Sequence, residues 1–144
     1  MLQGKARGPL GVLLFLQGLG AIGGAIFVVP NLAVDNLKPG LFSDYTVPAI
    51  GLGVVVGGGS LLALTLLLMR SSLAGLAALA AGGAVMAFEV VEVTTLKGSI
   101  LTDPNSLPLW QQPLWFVIGA AIAGLAVAGM WPQAVSARGT AANV

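Results

Sequence analysis

Glu89 and Glu92 stand three residues apart in AVMAFEVVEVTTLKG, residues 84–98, a run that is otherwise almost wholly apolar until its last residues. Residues at that spacing share a helix face. Two carboxyl groups on one face can run acid–base chemistry, hold a proton or cation, or hydrogen-bond a neighbouring helix. Little else in the chain competes for a chemical role. It has no Cys, which removes disulfides, thiol redox chemistry and cysteine-ligated metals. It has no His, which removes the usual zinc and copper sites and the commonest general base. No metal and no cofactor is therefore expected. Two acids without His, Cys or clustered basic residues make a thin catalytic site, so the chain reads as non-enzymatic.

The elements that must position these acids follow from composition. Of 144 residues, 57% are hydrophobic and 8% charged, with a mean hydropathy of +0.98. A soluble domain has about a quarter of its residues charged, so this chain reads as an integral membrane protein whose first partner is the lipid bilayer. A net charge of +1 offers no basic patch for nucleic acid.

Four apolar segments are long enough to cross a hydrocarbon core of ~30 Å. They run from about Pro9 to Val29, Val47 to Met69, Leu73 to Leu96 and Trp110 to Trp131. Pro30, Arg70 and Pro132 are expected to end the first, second and fourth, leaving a cytoplasmic turn at 70–72 and a C-terminal tail at 132–144. Backbone groups in lipid must be satisfied within the segment, so each is expected to be a helix. Lys5 and Arg7 give a basic start, but no A-x-A-like site follows the first segment, which is kept as a span. The predicted fold is all-α: one membrane domain, an antiparallel four-helix bundle.

Orientation follows from Lys and Arg counting. Lys5, Arg7, Arg70 and Arg138 fall on one side, Lys38 and Lys97 on the other. Both termini are therefore expected in the cytoplasm, with outer loops at 31–46 and 98–109. Trp110 and Trp131, about 31 Å apart on a helix, suit an aromatic residue at each interface of the last span.

Between helices in lipid, close contact comes from small residues. The 21 glycines offer several faces for it. Gln17, Gly20 and Gly24 fall on one face of the first span, Gly53 and Gly57 are four apart in the second, and Gly75, Ala78 and Gly82 align in the third. The G-x-G-x-x-G at Gly18–Gly23 matches a dinucleotide fingerprint. It lies in mid-span with no preceding strand, and is a packing feature here.

The face bearing Glu89 and Glu92 continues through Met86 and Gly82 to Ala78 and Gly75, so both acids are expected to point into the bundle. Depth along the helices sets Trp115 and Gly53 beside Glu89, and Gln111 and Gln112 beside Glu92. Without a cation in any span, Glu89 is expected to carry a proton near neutral pH, and Glu92, nearer the headgroups, to be ionised. Asp44, Tyr45, Glu92, Gln111 and Gln112 are candidates for one outer polar cap. Connection geometry accounts equally well for the Asp, Pro and Gly residues there.

Three stretches, GLFSDYTVPAIGLGVVVGG, FEVVEVTTLKG and WQQPLWFVIGAAIAGLA, resemble a group of small bacterial four-span membrane proteins of unknown function. That group shows an FPDY-x-x-PG opening to its second helix, a V-E/Q-V late in its third and a QPLYF-x-x-G start to its fourth. The resemblance covers about half the chain. It assigns Asp44, Tyr45 and Pro48 to the first element, Glu92 to the second, and Gln112, Pro113 and Gly119 to the third. Ser43, Ala49 and Trp115 depart from it, and Glu89 falls outside it. The resemblance implies a fold and a bacterial inner membrane, with no activity.

The functional expectation is a structural, accessory or self-associating subunit, as a homo-oligomer or within a larger membrane complex. A small transporter or channel component, using Glu92 and Glu89 for a proton, cation or polar ligand, is the alternative. A carboxylate-based membrane enzyme ranks third.

Overall fold

The computed structural model describes residues 6–28, 42, 44–95 and 111–141, and of these the backbone alone at 28, 95, 111 and 131–141. Four rods make the bundle. The first, α1, is Arg7–Gly23 continued by a wider i→i+5 turn over Gly24–Val28. The second, α2, runs through Thr46–Ile50, a wide-turn segment Gly51–Gly58 and Gly59–Leu68. The third and fourth are α3, Ala74–Thr95, and α4, Gln111–Ala141. Within them lie four apolar spans, Arg7–Phe27, Thr46–Leu68, Ala74–Thr94 and Gln112–Met130. The outer loops, including Lys38, Lys97 and Trp110, lie outside the described residues apart from 42 and 44–46, as do the side chains of Trp131 and Arg138.

Two boundaries differ from the sequence reading. Arg7 and Gly8, ahead of Pro9, are already helical, which suits Pro in a first turn, where its missing N–H is an orphan anyway. Pro132 does not end α4, which continues to Ala141. An internal proline removes one i→i−4 bond. The following Gln, Ala and Arg are good helix formers, and here they carry the rod past the apolar span.

Large apolar residues cover the outside and small ones take many of the buried positions, unlike a soluble bundle. Phe27, Leu68 and Met69 are about seven-tenths exposed, whereas Ala63, Ala78 and Ala126 are fully buried. Such a surface needs lipid around it. With the four spans, this makes the chain a multi-pass membrane protein.

Small residues let the helices close. A Cβ placed on Gly82 would lie 2.6 Å from the Gly119 carbonyl oxygen, and one on Gly119 2.8 Å from that of Gly82, so α3 and α4 touch backbone to backbone. Gly18 and Gly57 do the same between α1 and α2, with would-be Cβ atoms 3.4 and 3.2 Å from each other's carbonyl oxygens. The remaining expected packing glycines each meet a neighbour: Gly20 meets Trp115, Gly24 meets Leu52, Gly53 meets Ala25 and Gly75 meets Met130.

The α2–α3 turn forms without the glycine usual at a left-handed cap. Arg70 takes φ 57°, its N–H donates to the Leu67 carbonyl at 3.2 Å and that of Ser71 to Leu66 at 2.9 Å, the paired bonds of a Schellman close. Arg7 reaches across from α1 and donates to the carbonyls of Leu67 and Leu68, placing a cation on the negative end of α2. A short turn makes α2 and α3 antiparallel, so Arg7 and Arg70 share one end of the bundle and Tyr45 and Glu92 the other.

Candidate functional site

Three layers stack along the bundle axis towards the Glu92 end. In the middle, Gln17 of α1 is fully buried. Its Nε2 donates to Ser60 Oγ of α2 at 2.8 Å and to the Ala81 carbonyl of α3 at 3.3 Å. Ser60 Oγ donates in turn to the Val56 carbonyl at 2.6 Å. One polar node thus ties three helices, and among the described residues Gln17 Oε1 stays buried without a donor. The sequence reading placed Gln17 on a packing face and missed this node. Its signal was available, a lone amide and a lone hydroxyl at similar depth in adjacent spans.

Above the node, Ala21, Val56 and Val85 form a buried apolar layer, edged by Leu52, Phe88 and Trp115. The Trp115 ring lies against Gly20, where a Cβ would come within 2.7 Å of Cη2, so α4 reaches α1 across the bundle.

Glu89 lies one turn above Val85, about 6 Å along α3, and is only 5% exposed. Its Oε2 is buried and, among the described residues, has no hydrogen-bond partner. Glu92 lies one turn further out and is partly buried, with Gln112 Nε2 of α4 donating to its Oε1 at 3.4 Å. The expected pairing of Glu92 with Gln112 is present; the side chain of Gln111 lies outside the described residues.

Tyr45 closes the Glu92 end. It is buried against Phe42, Ala49 and Leu52, and its phenol is pushed above its ordinary value, first by burial and then by the Glu92 charge. Glu92 and Tyr45 are therefore within electrostatic reach. Asp44 is not drawn inward. Its carboxyl is exposed and accepts the Thr46 N–H at 2.8 Å, which holds it below the usual carboxylate value. That bond closes an Asx turn at the entry to α2, whose N-cap residue is Tyr45.

The arrangement supplies two carboxyl groups a turn apart, an amide donor and a phenol, beside aromatic rings. Among the described residues no three acidic side chains gather as a metal site would need. Comparisons of this chain with protein-family models, with characterised proteins and with solved structures return no match.

Proposed function

We propose that this chain is a non-enzymatic membrane protein, with both termini in the cytoplasm of a bacterial-type inner membrane, whose outward half binds a proton or a small hydrogen-bond-donating cation at Glu89 and Glu92. The observation that carries this reading is Glu89 Oε2, buried and without a partner among the described residues, one turn beneath a carboxylate held by Gln112. A buried acceptor without a donor is costly, and a bound proton or donor cation removes that cost. The positions of Tyr45, Glu92 and Gln112 also carry the resemblance to the small bacterial four-span proteins, which supports a shared outer cap.

The inner half argues for a binding or accessory role over a conduit. Beneath the Gln17 node, Leu10, Leu14, Ala63, Leu67, Ala78 and Ile122 form a packed apolar core. A ligand arriving from the Glu92 side meets the Ala21–Val56–Val85 layer and then this core. Docking to another copy or to a larger membrane assembly has outward glycines to use, Gly83 and Gly124, where a Cβ would meet nothing within 4 Å.

Binding to the protein in lipid nanodiscs tests the reading, with ethylammonium as the donor probe and tetramethylammonium, which has no N–H, as control. Saturable ethylammonium binding, or a carboxyl infrared band that responds to pH and is abolished by Glu89→Gln, is the expected result. Loss of a charge-assisted hydrogen bond costs about 1.5–3 kcal/mol, or ~10- to 100-fold in affinity. Equal behaviour of both amines, with no pH-dependent band assignable to Glu89, would overturn the proposal.

A further inference from the structure

We infer that the groove between α1 and α2 at the Arg7 end is a binding site for one anionic phospholipid. The recess has a volume of about 590 Å³ and is lined by Gly8, Gly11 and Phe15 of α1 and Leu64 and Leu68 of α2, with Arg7 also on its wall. That volume lies within the range of sites that hold small ligands. Glycine makes the room, since a Cβ on Gly8 would meet nothing within 4 Å and one on Gly11 only the tips of Leu67 and Leu64 at 3.6 and 3.8 Å. From Arg7 to Phe15 the groove follows α1 for about 12 Å, a length that suits a lipid tail.

Charge selects the headgroup. Arg7 uses one terminal nitrogen on the carbonyls of Leu67 and Leu68, which fixes the guanidinium at the α2 terminus. A guanidinium has five N–H donors, so others serve a phosphate oxygen. Arg70 is exposed and two residues beyond Leu68 on the same end. The described acids are elsewhere: Asp44, Glu89 and Glu92 belong to the opposite end. Among the described residues, positive charge at this end is therefore uncompensated by an acid, and the recess beside it is apolar. An acyl chain beneath an anionic headgroup matches both. Each basic residue near a headgroup favours an anionic lipid enough to give a preference of about 5-fold for one contact and 30-fold for two.

Native mass spectrometry of the intact chain, released from nanodiscs of equimolar phosphatidylglycerol and phosphatidylcholine, reads this directly. One retained phosphatidylglycerol, preferred 5- to 30-fold, is expected. Gly8→Leu fills the recess without touching either arginine and abolishes retention, whereas Arg70→Gln leaves a lipid bound but reduces the preference towards 5-fold. Arg7→Gln also removes a contact to α2, so the other two variants are decisive, each checked for unchanged helicity. Equal retention of the two lipids, undiminished retention in Gly8→Leu, or a second copy of the chain in place of lipid would each overturn the assignment.

Discussion

The two ends of this bundle are built on opposite rules. Towards Arg7, α1, α2, α3 and α4 enclose Leu10, Leu14, Ala63, Leu67, Ala74, Ala78, Ile122 and Ala126, an apolar core. Towards Tyr45, aromatic rings replace aliphatic contacts, with Phe88 against Gly51 and Trp115 against Gly20. Among those rings lie Glu89 and Tyr45, both buried. The boundary is the Gln17–Ser60 node in mid-membrane. The difference separates what makes the protein cohere from what it can bind: the Arg7 half holds helices by close packing, and the Glu92 half accepts polar groups that packing alone would reject.

The strongest test of that division lies where backbones touch. Gly82→Ala or Gly119→Ala drives a Cβ into the opposing carbonyl oxygen. Overpacking of this kind costs typically 1–3 kcal/mol, and the upper part of that range is expected because the obstructing atoms are main chain. Gly83→Ala, one residue away and facing open space, is expected to gain about 0.5–1 kcal/mol from helix propensity. Reversible unfolding in mixed micelles measures both. Similar stabilities for the Gly82 and Gly83 variants would show that α3 and α4 are not in backbone contact.

A second, smaller effect belongs to the node between the halves. A double-mutant cycle on Gln17→Leu and Ser60→Ala isolates their hydrogen bond, whose coupling is expected near the ~0.6 kcal/mol typical of such bonds in membranes and below ~1.7 kcal/mol. Gln17→Leu also deletes the orphaned Oε1, which offsets part of the loss, so its total effect falls well below that of Gly82→Ala. A coupling of zero would remove the node as the boundary.

The outer half has its own reporter, because Tyr45 is the chain's only tyrosine. Its phenolate absorbance therefore titrates one group. The Glu92 carboxylate opposes a second negative charge nearby, so Glu92→Gln is expected to move the Tyr45 titration to lower pH. A remainder persists above the ordinary value, because burial is the larger cause. An unchanged Tyr45 titration in Glu92→Gln would separate the two residues and dissolve the outer cap.

How much of this could be read in the chain differs between the halves. Apolar length and the cost of unsatisfied backbone in lipid made all four helices legible. Depth alone brought Glu92 to Gln112, since both sit at the outer ends of antiparallel spans. The interior was less legible because one helix face can meet several partners. Gln17, Gly20 and Gly24 do fall on one side of α1, yet Gln17 and Gly24 meet Ser60 and Leu52 of α2 while Gly20 meets Trp115 of α4. The wide turns at Gly24–Val28 and Gly51–Gly58 have no sequence signature beyond glycine. Pro132 shows the limit of a local rule, because one missing bond does not end a helix whose next residues favour it. Glu89 was legible as an inward acid, but its unpartnered oxygen belongs to the packing around it.

The smallest expected effect contrasts the two termini of α2. At one end the Arg7 guanidinium donates to the last carbonyls; at the other, the Asp44 carboxyl accepts the Thr46 N–H. The bond holds the Asp44 carboxyl below its ordinary value of 3.8. A depressed folded value contributes stability that is fully present above the unfolded value and lost as pH falls through the folded one. The turn is therefore intact at neutral pH and weakens only in acid below the ordinary carboxylate range. Because the carboxyl is fully exposed, the loss is local: hydrogen exchange at the Thr46 amide should quicken in acid relative to its intrinsic rate, while the helix amides beside Gln17 keep their protection. Asp44→Asn retains an acceptor oxygen but cannot titrate, so it should remove the acid dependence and leave the turn. If protection at Thr46 is the same in acid and at neutral pH, Asp44 does not hold the turn into α2, and its carboxylate becomes available to the polar cluster at that end after all.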